Sequence, residues 1–259
     1  VLFRSQIDKT DIIGIGVGVP APVTSDGVVN GSANLGWKYK EVKRELEELS
    51  GLKTVVGNDA NVAALGEMWK GGGAGETNMI MVTLGTGVGG GIIIDGKILV
   101  GATGAGGEIG HICVNYDETD HCGCGNCGCL EQYASATGIV KLAKKKLDRE
   151  MRATILKKED VTAKDVFDAV KAGDEVADEI AVEFGRYLGY GLANLAAVCN
   201  PSVFVIGGGV SKAGEVLIPY IQKPYLERAF FADRQVKFVL AKLGNDAGIC
   251  GAAKLVMDD

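Results

Sequence analysis

The sequence lacks three features that would each indicate a well-known class of protein. It contains no apolar run near the roughly 20 residues of a membrane helix, so we expect no segment to span a bilayer. It has no excess of positive charge, because 27 Lys and Arg stand against 33 Asp and Glu; the net charge of -6 argues against a nucleic-acid partner. It has no G-K-[ST] sequence, which excludes a P-loop enzyme. The 259 residues, 47% of them hydrophobic, suffice for one large domain or two smaller ones.

Cysteine is present in an unusual arrangement, since four of the seven cysteines fall between positions 122 and 129. An odd count and a tight cluster are typical of metal binding in a reducing compartment rather than of a disulfide framework, so we expect a cytoplasmic protein. Thiolates and imidazoles are ligands that tetrahedral zinc prefers, and a site of three cysteines and one histidine would be structural. Six candidates exist for four places: His111, His121, Cys122, Cys124, Cys127 and Cys129.

A glycine-rich segment, Gly85–Gly91 (GTGVGGG), follows the apolar run Met79–Leu84. It contains G-x-G-x-x-G, but the dinucleotide fingerprint needs a following helix, and here a hairpin with Asp95-Gly96 at its turn follows. We therefore predict a strand–turn–strand whose backbone N–H groups hold phosphate. The glycines after the strand-like run Val203–Ile206 suit an adenine or ribose lying on bare backbone. An ordinary glycine-rich turn is the alternative for both segments.

Two carboxylates stand at positions that suit substrate chemistry. Asp59 lies between the predicted strand Thr54–Gly57 and the predicted helix Asn61–Lys70, where it serves either as a helix N-cap or as a general base for a substrate hydroxyl. Glu108 lies three residues before His111, so a metal loop would fix its backbone. It is then either a ligand for two sugar hydroxyls or an ordinary surface residue.

Taken together, these motifs resemble the ROK family (repressors, open reading frames and sugar kinases), and within it the bacterial glucokinase subgroup. The resemblance runs from Gly14 to about Gly251, and the cysteine signature is its most specific part. The segments that carry it are Asn34–Trp37 (NLGW), Asn58–Asn61 (NDAN), Leu84–Gly91 (LGTGVGGG), Gly106–His111 (GGEIGH) and Cys122–Glu131 (CGCGNCGCLE).

The resemblance implies an α/β protein of the actin/hexokinase-like (ribonuclease H-like) fold, with two domains that close around a cleft. The expected small domain covers 1–74, with the helix 246–259 packing back on it, and the expected large domain covers 75–245 with the zinc loop. The family begins with a strand carrying Asp, two glycines and Thr, and nothing before Ile12 supplies it. The small domain is therefore expected to be incomplete, the chain as printed to be inactive or poorly folded, and Val1–Ser5 to be non-native.

The resemblance also implies a reaction: ATP-dependent phosphorylation of glucose to glucose 6-phosphate, a step of glycolysis, with Asp59 as the general base. ATP, Mg²⁺ and a structural Zn²⁺ are the implied cofactors. The implied sugar-binding residues are Asn34, Asn58, Asp59, Glu108, His111 and Glu131. The implied nucleotide-binding residues are Gly85, Thr86, Gly87, Gly89, Gly207, Gly208 and Gly209. The implied zinc ligands are His111, Cys122, Cys124 and Cys129, with Cys127 left out because the family varies there.

Several alternatives stay open at this level. Another hexose kinase of the family would act on fructose, N-acetylglucosamine or N-acetylmannosamine, and the phosphoryl donor would be polyphosphate or ADP in place of ATP. A sugar-sensing ROK transcription repressor would need a basic helix-turn-helix before this region. A nicotinamide-dependent oxidoreductase would use the G-x-G-x-x-G match in Gly85–Gly91 to bind its dinucleotide. A hexose is the expected partner, with neither nucleic acid nor membrane, and a homodimer or homotetramer is the expected assembly.

Overall fold

The computed structural model describes residues 8–32 and 35–258, and within them the chain forms seven strands and eight α-helices. The strands are β1 (Ile15–Val19), β2 (Thr54–Asn58), β3 (Met79–Leu84), β4 (Val88–Ile94), β5 (Lys97–Ile98), β6 (Val203–Gly207) and β7 (Lys237–Leu240). The helices are α1 (Val42–Ser50), α2 (Asp59–Lys70), α3 (Glu131–Ala134), α4 (Ala136–Leu147), α5 (Ala163–Lys171), α6 (Glu175–Cys199), α7 (Leu217–Arg228) and α8 (Asp246–Asp258). None of the helices in the described ranges combines the length and the apolar character needed to cross a membrane.

The strands form two separate sheets. β1 and β2 pair in parallel, and the five-stranded sheet has the order β5-β4-β3-β6-β7. Within the larger sheet, β3, β6 and β7 run parallel to one another, whereas β4 is antiparallel to both β3 and β5. Because β3 and β6 are parallel neighbours, their carboxyl ends lie at the same edge of the sheet. Ligands bind at this edge in open α/β folds.

The predicted strand–turn–strand after Met79–Leu84 is confirmed. β3 and β4 pair antiparallel from Met79↔Ile93 to Leu84↔Val88, and β4 continues into β5. The turn between β4 and β5 has positive φ at both Asp95 (50°) and Gly96 (77°), as a tight hairpin turn requires. No helix follows the glycines, so the geometry of a dinucleotide fingerprint is absent from this part of the structure.

The sequence shows helical patterns over Glu131–Asp148 and Gly214–Gln222, and the observed helices differ from both. The first is interrupted at Ser135, whose side chain accepts a 2.9 Å hydrogen bond from the N–H of Gly138 and caps α4. The second continues as α7 to Arg228, with Pro224 inside the helix. A proline removes one backbone donor and usually ends a helix, so α7 continues past a residue that commonly stops one.

Helix α2 lies between the two sheets, and small residues on two of its faces make this possible. On one face it crosses α8 so closely that a Cβ added at Gly66 would lie 2.1 Å from the carbonyl oxygen of Ala247. A Cβ at Gly251 would lie 1.7 Å from the carbonyl oxygen of Val62. On another face, α2 contributes to a core shared with β3, β4 and β6. The helix that begins at Asp59 is therefore held by both layers.

Candidate active site and metal centre

The four predicted zinc ligands lie together. One potential ligand atom from each of His111, Cys122, Cys124 and Cys129 lies within 4.8 Å of all the others. The Sγ of Cys122 is 3.8 Å from the Nδ1 of His111, and the Sγ atoms of Cys124 and Cys129 are 3.6 Å apart. His111 therefore turns Nδ1 toward the thiols, which leaves Nε2 for another partner.

This arrangement fits a tetrahedral zinc. Zinc–sulfur and zinc–nitrogen bonds of the usual length place the ligand atoms of one tetrahedron about 3.5–3.8 Å apart, close to the observed separations. Burial raises the pKa of Cys129 to about 12 and also raises the pKa of Cys122. A backbone hydrogen bond from Asn126 lowers the pKa of Cys124. Thiols in this setting become thiolates when a cation compensates their charge, so a bound metal would release protons.

Cys127 and His121 lie outside this cluster and contact each other. The Sγ of Cys127 is 3.5 Å from the Nδ1 of His121, and that nitrogen is 3.0 Å from the carbonyl oxygen of Gly125. The two residues are paired across a short antiparallel bridge in the cysteine loop. The structure thus separates the six sequence candidates into four that share one centre and two that close the loop.

A buried tyrosine anchors the loop that precedes the cysteines. The hydroxyl of Tyr133 donates to the Oε2 of Glu118 at 2.6 Å and accepts from the side-chain amide of Asn115 at 2.9 Å. Its ring stacks on Tyr187 with the centroids 4.0 Å apart. The hydrogen bond from Tyr133 lowers the pKa of Glu118, so the carboxylate stays charged. Sequence reasoning missed this anchor, because these residues are distant in the chain and match no motif.

At the junction of β2 and α2, the helix cap and the proposed base are two different residues. The Oδ1 of Asn58 accepts from the N–H groups of Ala60 (3.0 Å) and Asn61 (3.1 Å), which makes Asn58 the N-cap. The Nδ2 of Asn58 donates to the carbonyl oxygen of Ala21 at 3.1 Å. Asp59 is therefore not needed as the cap, and its exposed carboxylate makes one local bond, from the N–H of Ala60 at 2.9 Å.

The glycine turn between β3 and β4 presents unused backbone donors. Within the described part of the chain, the N–H groups of Thr86 and Gly87 have no hydrogen-bond partner. The Oγ1 of Thr137 donates to the carbonyl oxygen of Thr86 at 2.9 Å, and the N–H of Ala136 donates to that of Gly85 at 2.8 Å. The start of α4 thus fixes the turn and leaves two donors for an anion.

Glu131 connects this turn with the metal cluster. Its Oε2 accepts from the N–H of Val88 at 3.0 Å, and its Oε1 lies 3.7 Å from the Sγ of Cys122. A Cβ added at Gly87 would lie 2.1 Å from the same Oε2, so a larger residue there would displace the carboxylate of Glu131. The structure therefore places Glu131, a predicted sugar ligand, against the predicted phosphate turn as well.

The second glycine run ends β6 and adjoins the first. Gly208 has φ of 84°, and a Cβ added there would lie 2.6 Å from the backbone N and O of Leu84, the last residue of β3. Beside Gly209 is a cavity of about 320 Å³. Its walls are Ala136, Thr162, Ala163, Lys164, Phe167, Asp168, Gly209, Val210, Lys212 and Ala213. Bare backbone and this mostly apolar cavity suit a flat ring next to the phosphate turn.

One later glycine of the segment 85–91 lets α2 approach the sheet. A Cβ at Gly91 would be 2.4 Å from the Cβ of Ala64. A Cβ at Gly89, within β4, would lie 2.6 Å from the Oγ1 of Thr83 and at an ordinary contact distance of 3.6 Å from the Cβ of Ala60. Helix packing therefore explains Gly91 but not Gly89, and a nucleotide contact by Gly89 stays a prediction.

Asn61 joins the first turn of α2 to the loop that carries Glu108. Its Nδ2 donates to the carbonyl oxygen of Gly106 at 3.3 Å, and its buried Oδ1 has no partner among the described residues. Glu108 is exposed and precedes the 3₁₀ turn Ile109–His111. Contacts thus run from the helix of Asp59 through Gly106 to His111, and onward through the metal cluster and Glu131 to the glycine turn. Asn34 lies outside the described residues.

Comparisons with known proteins agree with one another. The family model described as "ROK family" matches residues 2–259. A glucokinase of Halalkalibacterium halodurans is 46% identical over 96% of this chain and 77% of its own length. A xylose repressor of Caldicellulosiruptor bescii is 33% identical over 96% of this chain and 63% of its own. The crystal structure of a ROK family glucokinase from Streptomyces griseus with glucose and AMPPNP superposes with a TM-score of 0.79 at 36% identity, covering 96% of this chain and 83% of that one.

Proposed function

The chain belongs to the ROK family, and from that membership we propose that it is a sugar kinase that transfers the γ-phosphoryl group of ATP to the 6-hydroxyl of glucose. The predicted family is confirmed, as is the predicted α/β actin/hexokinase-like fold. The glucokinases of Halalkalibacterium halodurans and Streptomyces coelicolor, 46% and 39% identical, support the assignment to a hexose kinase.

One structural observation carries the proposal. Because Asn58 caps α2, the carboxylate of Asp59 is exposed at the first turn of a helix that packs on β4, the strand leaving the glycine turn. The packing of α2 on β4 therefore fixes the base, Asp59, relative to the unpaired N–H groups of Thr86 and Gly87. That is the arrangement needed to bring a hydroxyl to a phosphoryl group, since phosphoryl transfer depends mainly on positioning and charge stabilisation.

The proposed reaction assigns one role to each group. The sugar 6-oxygen forms a bond to the γ-phosphorus, the bond from that phosphorus to the bridging oxygen breaks, and ADP leaves. Asp59 accepts the proton of the 6-hydroxyl, which contributes roughly 10²–10⁴-fold to the rate. The N–H groups of Thr86 and Gly87 donate hydrogen bonds to phosphate oxygens, and Gly207–Gly209 bind the nucleoside. Magnesium would enter with ATP, neutralising its phosphates through oxygen ligands and water.

The four-ligand cluster is proposed to hold a structural zinc, which would orient the sugar-binding residues and take no part in the chemistry. Nδ1 of His111 faces the thiols, so a metal there would orient the ring and leave Nε2 for a sugar hydroxyl. The same loop fixes the backbone of Glu108, which would bind two further hydroxyls. Asn34, Asn58 and Glu131 complete the proposed sugar site, in which Glu131 also supports the glycine turn.

A substrate panel tests the proposal. The protein expressed from its complete coding sequence is assayed with ATP against glucose, fructose, N-acetylglucosamine and N-acetylmannosamine, with ADP formation measured by a pyruvate kinase couple. We expect glucose to give the highest kcat/KM. A higher kcat/KM for another of these sugars would leave the kinase assignment standing and change the proposed substrate. ADP formation that does not depend on any of the four sugars would refute the proposal. Replacing ATP by ADP or polyphosphate tests the donor.

A sugar-sensing repressor is the second candidate, because a xylose repressor is 33% identical over 96% of this chain. In that function the same sugar site would control DNA binding rather than catalysis. The exposed carboxylate of Asp59 and the unpaired N–H groups of the glycine turn favour the kinase. Sugar-dependent binding to operator DNA without measurable phosphoryl transfer would favour the repressor.

A further inference from the structure

Two chain segments connect the β1–β2 layer with the five-stranded sheet. The first leaves α2 after Lys70 and runs through Gly71–Gly73 toward β3. The second leaves β7 and runs through Ala241–Leu243 toward α8. Any closing motion of one layer against the other has to bend these two segments.

Both segments are bound to one buried carboxylate, that of Glu67 near the end of α2. Glu67 is 0% exposed. Its Oε2 accepts from the N–H of Gly72 at 2.6 Å, and its Oε1 accepts from the N–H of Leu243 at 2.8 Å. The N–H of Lys242 donates to both oxygens, at 3.0 and 3.1 Å. The carbonyl oxygen of Glu67 also accepts from the N–H groups of Gly71 and Gly73, at 3.0 and 3.1 Å.

This geometry suits a side chain whose two end atoms are both hydrogen-bond acceptors. All three side-chain partners are backbone donors, and an ionised carboxylate is purely an acceptor. A glutamine of the same shape would turn an NH₂ group toward at least one N–H and lose a bond. The fit is also tight, because a Cβ at Gly71 would lie 1.9 Å from the Oε2 of Glu67. Nothing in the proposed reaction uses this carboxylate.

We propose that Glu67 is a positioning residue for phosphoryl transfer: by holding both connecting segments, it fixes the far end of the helix that presents Asp59. The inference rests on the proposed function. Eight residues separate the two carboxylates along α2, or about 12 Å at 1.5 Å per residue. A rotation of roughly 5° about the Glu67 end would move Asp59 by about 1 Å, and a misplacement of that size costs on the order of 10²-fold in rate. Packing against α8 and β4 limits the rotation.

Glu67→Gln in the full-length protein tests this inference, with Glu76→Gln as the matched control. Glu76 lies on the same connecting segment and accepts from the Oγ of Ser202 (2.6 Å) and the Nζ of Lys237 (2.9 Å), but it does not contact α2 through these bonds. We expect Glu67→Gln to lower kcat 10- to 100-fold with the KM for glucose changed less than threefold. Glu76→Gln should keep kcat within twofold and lower Tm less than Glu67→Gln does, because Glu76 is only partly buried. If the glutamine variant does not fold, Glu67→Asp, which keeps the charge but shortens its reach, should show a smaller fall in kcat.

Amide hydrogen exchange provides a second test, which does not depend on catalytic activity. Loss of the Glu67 bonds should speed exchange of the first-turn amides of α2, at Ala60 and Asn61, as well as of the connecting segments; loss of the Glu76 bonds should leave that first turn unchanged. A fall in Tm with kcat unchanged, or faster exchange confined to the connecting segments, would overturn the inference. A wild-type protein without activity on any hexose would refute the proposed function instead, and the exchange arm would still decide the role of Glu67.

Discussion

Replacing Asp59 by asparagine should separate catalysis from stability more cleanly than any other single change. The substitution keeps the size of the side chain and removes its ability to accept a proton. Since Asn58 supplies the cap of α2 and Asn61 its contact with Gly106, the helix should begin at the same residue in the variant. The carbonyl oxygen of the new side-chain amide would still accept from the N–H of Ala60.

The two expected magnitudes differ widely. Removing the exposed negative charge of Asp59 from the first turn of α2 should cost about 0.3–1 kcal/mol of stability. Removing a general base should lower kcat by roughly 10²–10⁴-fold. At about 1.4 kcal/mol per factor of ten, that fall raises the barrier by about 3–5 kcal/mol. A destabilisation of 1 kcal/mol leaves a protein of ordinary stability almost fully folded at 25 °C.

The assay measures initial rates at saturating glucose and ATP, with thermal unfolding recorded on the same samples. Glu175→Gln is the matched control, because Glu175 is an exposed acidic residue at the first position of α6. We expect both variants to lose similar stability and only Asp59→Asn to lose turnover. A kcat for Asp59→Asn within tenfold of wild type, with Tm nearly unchanged, would refute the assignment of the base.

Three further changes test other parts of the account. If the four-ligand cluster holds a metal as proposed, chelating it or replacing Cys122 by serine should weaken glucose binding roughly 10- to 100-fold in calorimetry; full glucose affinity in metal-free protein would disprove the link between the metal and the sugar site. Gly251→Ala should destabilise the protein by about 1–3 kcal/mol in urea unfolding, because the new Cβ would lie 1.7 Å from a carbonyl oxygen. Gly248→Ala, on the same helix with open space around it, should stabilise by up to about 1 kcal/mol, so equal effects would contradict the packing argument. Gly208→Ala should raise the KM for ATP and spare glucose binding, since it displaces the end of β3; an unchanged KM for ATP would remove this turn from the nucleotide site.

Local sequence signals predicted the elements well, for physical reasons. Met79–Leu84 is an apolar run with one threonine, and it forms β3 with the same bounds. The hairpin after the glycines follows from Asp95-Gly96, because the tight turn depends on only two residues. The short segment Cys122–Cys129 predicted a metal cluster, whereas the choice of four ligands among the six candidates came from the family resemblance.

Long-range contacts could not be predicted in the same way. The hydrogen bonds from Lys242 to Glu67 join residues 175 positions apart, and no local pattern distinguishes Glu67 from an ordinary helical glutamate. The role of Gly91 depends on Ala64 of a helix that precedes it in the chain. The sequence alone also did not decide whether Asp59 is the N-cap of the helix or a general base, and the structure assigns the N-cap to Asn58. Tertiary packing decides such cases, because each depends on which elements meet.

The most direct test of the central claim is identification of the product by nuclear magnetic resonance. The full-length protein is incubated with ATP, Mg²⁺ and ¹³C-labelled glucose, and phosphorus and carbon spectra are recorded over time. The account predicts one new phosphomonoester signal whose phosphorus couples to carbon 6 of glucose, appearing at the rate at which ATP disappears. ATP loss that yields only inorganic phosphate, or phosphorylation at another carbon, would contradict it.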